Sequence, residues 1–96
     1  MTSIAILDMP VKEGRRDEAI AILEVSLADT RAFDGNQGAV ILVDDDPSHF
    51  LILETWQSME HNARYQAWRR TPEGETPGFG ELLAGPSSMR EYTIAP

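Results

Sequence analysis

The chain contains no cysteine, only two histidines, and 8 Lys or Arg residues against 16 Asp or Glu in 96 residues. Without cysteine there is no disulfide, no thiolate nucleophile and no cysteine-based zinc site. The net charge of −8 argues against nucleic acid and anionic membrane surfaces as partners, because both bind to a basic surface on the protein. No apolar run approaches the ~20 residues of a membrane span, and no basic secretory signal opens the chain. We therefore predict one acidic, cytoplasmic domain over residues 1–96.

The spacing of apolar residues predicts six main elements in the order βαββαβ. The expected strands are 3–9, 39–43, 50–56 and 89–94, and the expected helices are 15–32 and 58–70. A loop with two prolines follows over 71–77, and then one short helical turn over 79–83. Two βαβ halves in tandem predict a ferredoxin-like α+β fold, in which both helices lie on one face of a four-stranded antiparallel sheet.

Three of the four predicted strands are apolar on both faces. In the third strand, Phe50 and Ile52 lie on one face and Leu51 and Leu53 on the other, because alternate strand residues point to opposite faces. Two helices cover only one face of such a sheet, so a monomer would expose an apolar face to water. We expect a homodimer in which the open faces of two sheets pack together about a two-fold axis.

Three short motifs resemble the antibiotic biosynthesis monooxygenase family of small dimeric α/β-barrel proteins. They are VKEG at 11–14, LETWQS at 53–58 with its Glu-x-Trp, and YQAWR at 65–69. The resemblance covers about residues 4–94 and implies a dimeric α/β barrel with a cavity between sheet and helices. Because the family includes cofactor-independent monooxygenases of phenols and quinols, it implies a small aromatic, quinol or polyketide-like ligand and no cofactor.

The same resemblance leaves other functions open. The haem-degrading branch of the family uses an Asn on the first strand and a His on or just after the second helix. Here the first strand has no Asn, and the helix has only His61, near its start, so haem degradation is not expected. A non-catalytic ligand-binding or stress-related dimer, and an isomerase or cyclase on the same fold, remain as alternatives because fold is a poor guide to chemistry.

His61, Tyr65 and Trp68 share one face of the second helix, since they recur at i, i+4 and i+7. A cofactor-independent oxygenase needs a base, a hydrogen-bond donor for an oxyanion and apolar walls around a ring. We therefore take His61 and Tyr65 as candidate catalytic residues and Trp68 as a candidate substrate-binding residue. In the alternative interpretation the two aromatic residues belong to the core or to the dimer interface, and His61 is solvated.

Glu54 and Trp56 share one face of the third strand, among apolar neighbours. A carboxylate there is costly unless it is paired. Glu54 is therefore either a base with a raised pKa or the ion-pair partner of Arg64, Arg69 or Arg90. We take Glu54 and Trp56 as candidate substrate-binding residues, with a purely structural role as the alternative.

Asp8 and Phe79 complete the predicted substrate-binding residues. Asp8 ends the first strand, where it is either solvated or placed at the mouth of the cavity. Phe79 follows the 71–77 loop, which we expect to act as a mobile lid over a hydrophobic ligand. In the alternative interpretation, the loop is a surface connection whose apolar residues dock onto the helices. No metal site is expected, because His49 and His61 have no carboxylate that completes a ligand set.

Overall fold

Four strands and two helices make up the computed structural model, which describes residues Met1–Pro96. They are β1 (Ser3–Pro10), α1 (Arg16–Ala32), β2 (Asn36–Leu42), β3 (His49–Trp56), α2 (Met59–Arg69) and β4 (Ser88–Thr93). Short 3-10 helices at Pro72–Gly74 and Gly80–Leu82 lie between α2 and β4. All neighbouring strands are antiparallel, in the order β2-β3-β1-β4, so the predicted ferredoxin-like α+β fold is confirmed. No helix combines the length and the apolar character that a membrane span requires.

The largest difference from the predicted bounds is at β2, which begins at Asn36 rather than Ala39. The Asn36 Oδ1 atom accepts a hydrogen bond from the backbone N–H of Gly38 at 2.9 Å, and the pairing register shifts between these two residues. This bulge extends the ladder to Trp56 through residues with low strand propensity, because pairing with β3 outweighs local preference. The 71–77 loop also contains a 3-10 helix that was not predicted.

The core lies between the two helices and one face of the sheet. Alternation along β1 and β3 directs every second side chain into it. Trp56, Phe50 and Leu27 are at most 1% exposed and are its largest fully buried apolar side chains. The other buried apolar residues are Ala5, Leu7, Met9, Val11, Ala19, Leu23, Ala39, Ile52, Tyr65, Phe79 and Leu82.

Ser58 caps the start of α2, as predicted, because its side chain accepts a hydrogen bond from the backbone N–H of His61 at 3.3 Å. This bond satisfies one of the free amides of the first helical turn. The helix therefore starts three residues after Trp56, the last residue of β3. The start of α2 is thereby fixed relative to the end of the strand that carries Glu54.

The opposite face of the sheet is apolar and has no helix on it. Its apolar side chains, which we call the open sheet face, are Ile4, Ile6, Val40, Leu42, Leu51, Leu53 and Tyr92. Val40, Leu42 and Tyr92 are 50%, 40% and 48% exposed. The structure therefore has the two-faced apolar sheet that the strand alternation predicts.

The turn between α1 and β2 requires a glycine at position 35. Its φ of +87° is in the left-handed region, which costs other residues roughly 1–2 kcal/mol. A Cβ atom at Gly35 would also overlap the imidazole ring of His61. The backbone oxygen of Gly35 accepts a hydrogen bond from the Gln57 N–H at 2.8 Å, so this turn is held against the junction between β3 and α2.

We predict that Gly35→Ala destabilises the protein more than Gly14→Ala does. Both glycines have positive φ, but a Cβ at Gly14 (φ +74°) would meet nothing within 4 Å. Gly14→Ala should cost about 1 kcal/mol, and Gly35→Ala about 1–3 kcal/mol more because of the overlap with His61. Urea unfolding measures both values. Adding His61→Ala to Gly35→Ala should recover part of the excess, because it removes the ring but keeps the His61 Cβ atom, which the new methyl group would also meet. Equal losses at the two glycines would contradict the packing of His61 on this turn.

Candidate functional site

A cavity of about 220 Å³ lies between the sheet and the helices. Its apolar wall consists of Leu7, Met9, Leu23, Leu27, Ile52 and Phe79. Its polar wall consists of Glu54, Tyr65, Gln66, Arg69 and Thr76, with Gly74, Glu75 and Ser87 beside them. Apolar walls with a few convergent polar groups are typical of a site for a small organic ligand.

Glu54 is the buried carboxylate of this cavity, with 2% of its surface exposed. The Trp56 indole N–H donates a hydrogen bond to Glu54 Oε1 at 3.2 Å. No arginine forms a salt bridge with it, and Arg64 instead approaches Asp34 at 3.7 Å. Burial raises the pKa of Glu54 to about 7, while the Trp56 hydrogen bond and the positive charge of Arg69 act in the opposite direction. The predicted ion pair is therefore not formed, and Glu54 has the raised pKa of the other interpretation.

Tyr65 is held by a hydrogen-bond cluster that joins both helices. Arg69, one turn further along α2, donates its Nε–H to the phenol oxygen at 2.6 Å. Thr30 Oγ1 of α1 lies 2.6 Å from the same oxygen and accepts a hydrogen bond from Arg69 Nη2 at 3.0 Å. Burial raises the pKa of Tyr65, so the phenol is neutral near pH 7 and acts as a hydrogen-bonding group rather than as an anion.

Trp56 and Trp68 pack behind Tyr65 and do not line the cavity. The ring centroids of Trp56 and Tyr65 are 5.0 Å apart. Phe33 lies edge-on to both of these rings and tilted against Trp68, at centroid distances of 6.3, 5.3 and 5.6 Å. The guanidinium carbon of Arg69 is 4.9 Å from the centroid of Trp68, a cation–π contact. The two indoles therefore support Tyr65 and Arg69 from behind.

His61 and Asp8 lie away from the cavity. The Nδ1 atom of His61 is 2.7 Å from Ser58 Oγ, so the ring stays at the first turn of α2. Asp8 is on the sheet face opposite the helices, where its Oδ1 atom is 2.9 Å from Nδ1 of His49. The structure brings Glu54 together with Tyr65, but it does not bring His61 or Asp8 to them.

His49, at the start of β3, joins β1 to the β2–β3 turn. Its Nε2 atom is 3.1 Å from both carboxylate oxygens of Asp44, while Nδ1 contacts Asp8. Hydrogen bonds to Asp8 and then to Asp44 raise the pKa of His49, because both favour the protonated ring. No group of three or more His, Asp or Glu side chains is placed to hold a metal ion.

The segment that follows α2 is tied to both helices. Arg69 Nη1 donates a hydrogen bond to the backbone oxygen of Gly74 at 3.1 Å, and Thr76 Oγ1 is 2.8 Å from Ser26 Oγ. Phe79 lies beyond it with 9% of its surface exposed and packs edge-on to Phe50 at 6.4 Å. Phe79 therefore forms part of the apolar wall, and the mobility of the segment remains a prediction.

Of the seven predicted site residues, Glu54, Tyr65 and Phe79 line the cavity. Sequence reasoning missed Thr30 and Gln66, and it considered Arg69 as an ion-pair partner for Glu54 or for an anionic substrate. A signal for Thr30 exists, because it lies three residues after Leu27 on the apolar stripe of α1 and is 0% exposed. A polar residue at a core position of a helix needs a buried hydrogen-bond partner, which here is Tyr65.

Comparisons with known proteins agree with the fold. The family model for antibiotic biosynthesis monooxygenase matches residues 2–76, so the chain belongs to that family. Rv0793 from Mycobacterium tuberculosis has a TM-score of 0.79 at 19% identity, over 100% of this chain and 97% of that one. A putative antibiotic biosynthesis monooxygenase from Nitrosomonas europaea has a TM-score of 0.78 at 20% identity, over 96% and 97%.

SnoaB from Streptomyces nogalater, described as a cofactor-independent oxygenase, has a TM-score of 0.77 at 14% identity, over 97% of this chain and 92% of that one. At such identities the likeness establishes the fold alone, because unrelated functions share folds. No curated protein matches the sequence. The function must therefore be argued from the side chains of the cavity.

We predict that Glu54 makes the free energy of unfolding fall as the pH rises from 4.5 to 7. Its pKa in the folded protein is about 7, against an ordinary value of 4.5, so in this window the folded state binds more protons than the unfolded state. At ~1.4 kcal/mol per unit, the full loss is about 3 kcal/mol. This loss of stability is absent below pH 4.5 and complete above pH 7.

Glu54→Gln should abolish this loss, because the amide stays neutral at every pH. Urea unfolding at pH 5 and at pH 8 measures the change in the free energy of unfolding between these two pH values. The native protein should lose more stability from pH 5 to pH 8 than Glu54→Gln does. Glu75→Gln, at the exposed rim of the cavity, is the matched control and should leave the pH dependence unchanged. A Glu54→Gln curve parallel to that of the native protein would contradict a buried carboxyl with a raised pKa.

Proposed function

We propose that this protein is a cofactor-independent monooxygenase that oxidises a small phenol or quinol in the 220 Å³ cavity. The observation that carries the proposal is the Glu54 carboxylate, buried without an ion-pair partner in the cavity that Tyr65 also lines. Proton abstraction from a phenol needs a base with a pKa near the working pH and a donor for the resulting oxyanion. Membership of the family supports this function.

The size of the cavity limits the substrate. An apolar cavity of ~150 Å³ holds benzene, whereas drug-sized ligands occupy roughly 300–1,000 Å³. A volume of about 220 Å³ therefore fits one aromatic ring, or two compact fused rings. The Leu23, Leu27, Ile52 and Phe79 side chains supply an apolar wall on which such a ring would pack.

The proposed reaction uses the substrate as the only reductant. Ionised Glu54 takes the proton of a substrate hydroxyl, and the oxyanion accepts a hydrogen bond from Tyr65. The electron-rich ring then transfers electrons to O2, and a carbon–oxygen bond forms at a ring carbon that carries hydrogen. Loss of that hydrogen and cleavage of the O–O bond release water, with the Glu54 proton returned to the leaving oxygen. One phenol and one O2 thus give one quinone and one water.

Oxygen uptake with a naphthol or a one-ring hydroquinone tests this proposal. The rate should rise with pH with an apparent pKa near 7, the value for Glu54, since only the ionised carboxylate accepts a proton. Glu54→Gln should lower kcat by ~100-fold or more, and Tyr65→Phe by a similar factor because it removes an oxyanion donor.

Glu73→Gln, at an exposed position outside the cavity wall, is the control for the loss of one carboxylate and should keep full activity. A loss in His61→Ala that is absent in Glu54→Gln would assign the base to His61 and contradict the proposal. Saturable binding of these phenols with no oxygen uptake would favour the alternative, a ligand-binding protein of the same fold.

We also propose that the open sheet face binds a second copy of this chain. Its central row is Val40, Leu53 and Ile6, which lie side by side on three neighbouring strands. Soluble monomers rarely expose a contiguous apolar patch of this kind, and two such faces are self-complementary about a two-fold axis.

Leu53→Glu should convert the dimer to a monomer, because it places an unpaired carboxylate in the centre of the buried interface. The dissociation constant should rise by about 100-fold or more, equivalent to ~3 kcal/mol. The matched control is Val25→Glu, an apolar residue of α1 that is 79% exposed, which should remain dimeric. Sedimentation at micromolar concentration measures both, and a monomeric native protein would contradict the proposed dimer.

A further inference from the structure

The hydrogen-bond cluster around Tyr65 contains more donors than its internal acceptors can use. The three groups that meet are the phenol of Tyr65, the hydroxyl of Thr30 and the guanidinium of Arg69. Arg69 has no acceptor, so it donates both to the Tyr65 oxygen at 2.6 Å and to the Thr30 oxygen at 3.0 Å. Only one proton can occupy the 2.6 Å contact between the two hydroxyl oxygens, which leaves one hydroxyl proton for another partner.

The donors of Arg69 are fully used within the protein. Its remaining N–H groups meet the backbone oxygens of Ser26 at 2.9 Å and Gly74 at 3.1 Å, and Thr76 Oγ1 at 3.5 Å. A guanidinium has five N–H donors, and these five contacts account for all of them. Although Arg69 lines the cavity, it has no donor left for a ligand and acts on the site through its positive charge.

Burial decides which hydroxyl keeps the spare proton. If Tyr65 donated to Thr30, the Thr30 proton would need an acceptor in a place that is 0% exposed and outside the cavity wall. Thr30 Oγ1 has no hydrogen-bond partners other than Tyr65 and Arg69, and a buried donor without an acceptor is costly. If Thr30 donates to Tyr65, the spare proton belongs to Tyr65, which borders the cavity.

We infer that Thr30 is a positioning residue for Tyr65: together with Arg69 it saturates the phenol oxygen with donors, so that the phenol proton is directed to an acceptor oxygen of the ligand. The donated hydrogen bonds, one of them from a cation, also make the phenol a stronger donor. The consequence for catalysis rests on the proposed function. In the proposed reaction, Tyr65 is the hydrogen-bond donor to the oxyanion and Glu54 is the acceptor of the substrate proton. Because the phenol oxygen of Tyr65 is saturated with donors, Tyr65 does not act as the base.

Thr30→Val tests the direction of this hydrogen bond, because valine keeps the shape of threonine and removes its hydroxyl. Tyr92→Phe leaves Tyr65 as the only tyrosine, since the chain has two. Incorporated 3-fluorotyrosine then reports the pKa of Tyr65 by 19F NMR, and its more acidic phenol brings the titration to milder pH. If Thr30 donates to the phenol oxygen, Thr30→Val removes a bond that stabilises the phenolate, and the pKa should rise by about half to one unit.

Thr30→Ser retains the hydroxyl and should restore the original pKa, and Thr93→Val, on the exposed strand β4, should leave it unchanged. A fall in the pKa of Tyr65 in Thr30→Val, or no change, would overturn the inference, because either means that Thr30 does not donate. The charges of Glu54 and Arg69, which also act on Tyr65, are the same in all these variants.

Binding of 4-nitrophenol separates this inference from the proposed function, since its absorbance distinguishes phenol from phenolate. The native protein should bind it as the phenolate, and Thr30→Val should weaken binding about tenfold, with recovery in Thr30→Ser. If the pKa of Tyr65 shifts as expected but no phenol binds, the proposed function fails while the orientation of Tyr65 stands. If phenol binds and the shift has the opposite sign, only the inference about Thr30 fails.

Discussion

The structure of the site depends on the fact that the Arg69 guanidinium is hydrogen-bonded only to neutral acceptors. Its partners lie on α1, on α2 and in the segment after α2, so this one side chain joins the three elements that cover the cavity. On the facing strand, the ionised form of Glu54 is favoured by the positive charge of Arg69, but Glu54 accepts no hydrogen bond from Arg69. Because every donor of Arg69 is already used, the pKa of Glu54 is set mainly by burial.

If the proposed function holds, this arrangement gives up stability in exchange for reactivity. An arginine that paired with Glu54 would lower the pKa of that carboxyl and make it a poor base near pH 7. The unpaired carboxylate instead makes ionisation unfavourable in the folded state, which lowers stability at neutral pH. A strained or poorly solvated group of this kind is typical of active sites rather than of structural cores. Because Glu54 and Trp56 are two residues apart and therefore share one strand face, the Trp56 indole is placed to give Glu54 its one hydrogen bond.

Alternation and helical spacing were sufficient to predict the fold and part of the site. They put Glu54 on the strand face of Phe50 and Trp56, which the structure shows to be the buried face. The parity of β1 puts Asp8 on the opposite face from the buried Leu7. His61 shares the helical stripe of Tyr65, but it lies one turn nearer the start of α2, where Ser58 engages its ring. Spacing within one helix does not show where the cavity ends. The partnership of Thr30 with Arg69 spans 39 positions, and only the packing of α1 against α2 creates it.

The two faces of the sheet contribute to stability in opposite directions. A domain of about this size buries only roughly 60–65% of the surface of its unfolded chain, and its net stability is of order 5–15 kcal/mol. A buried carboxylate that costs about 3 kcal/mol at neutral pH is then a large share of that total. Burial of Ile6, Val40 and Leu53 against a second copy would add apolar burial at ~25 cal/mol per Å² without touching the cavity. Burial of the open sheet face in a dimer would thus offset the stability that the buried Glu54 carboxylate costs at neutral pH. This links the proposed dimer to the unpaired Glu54.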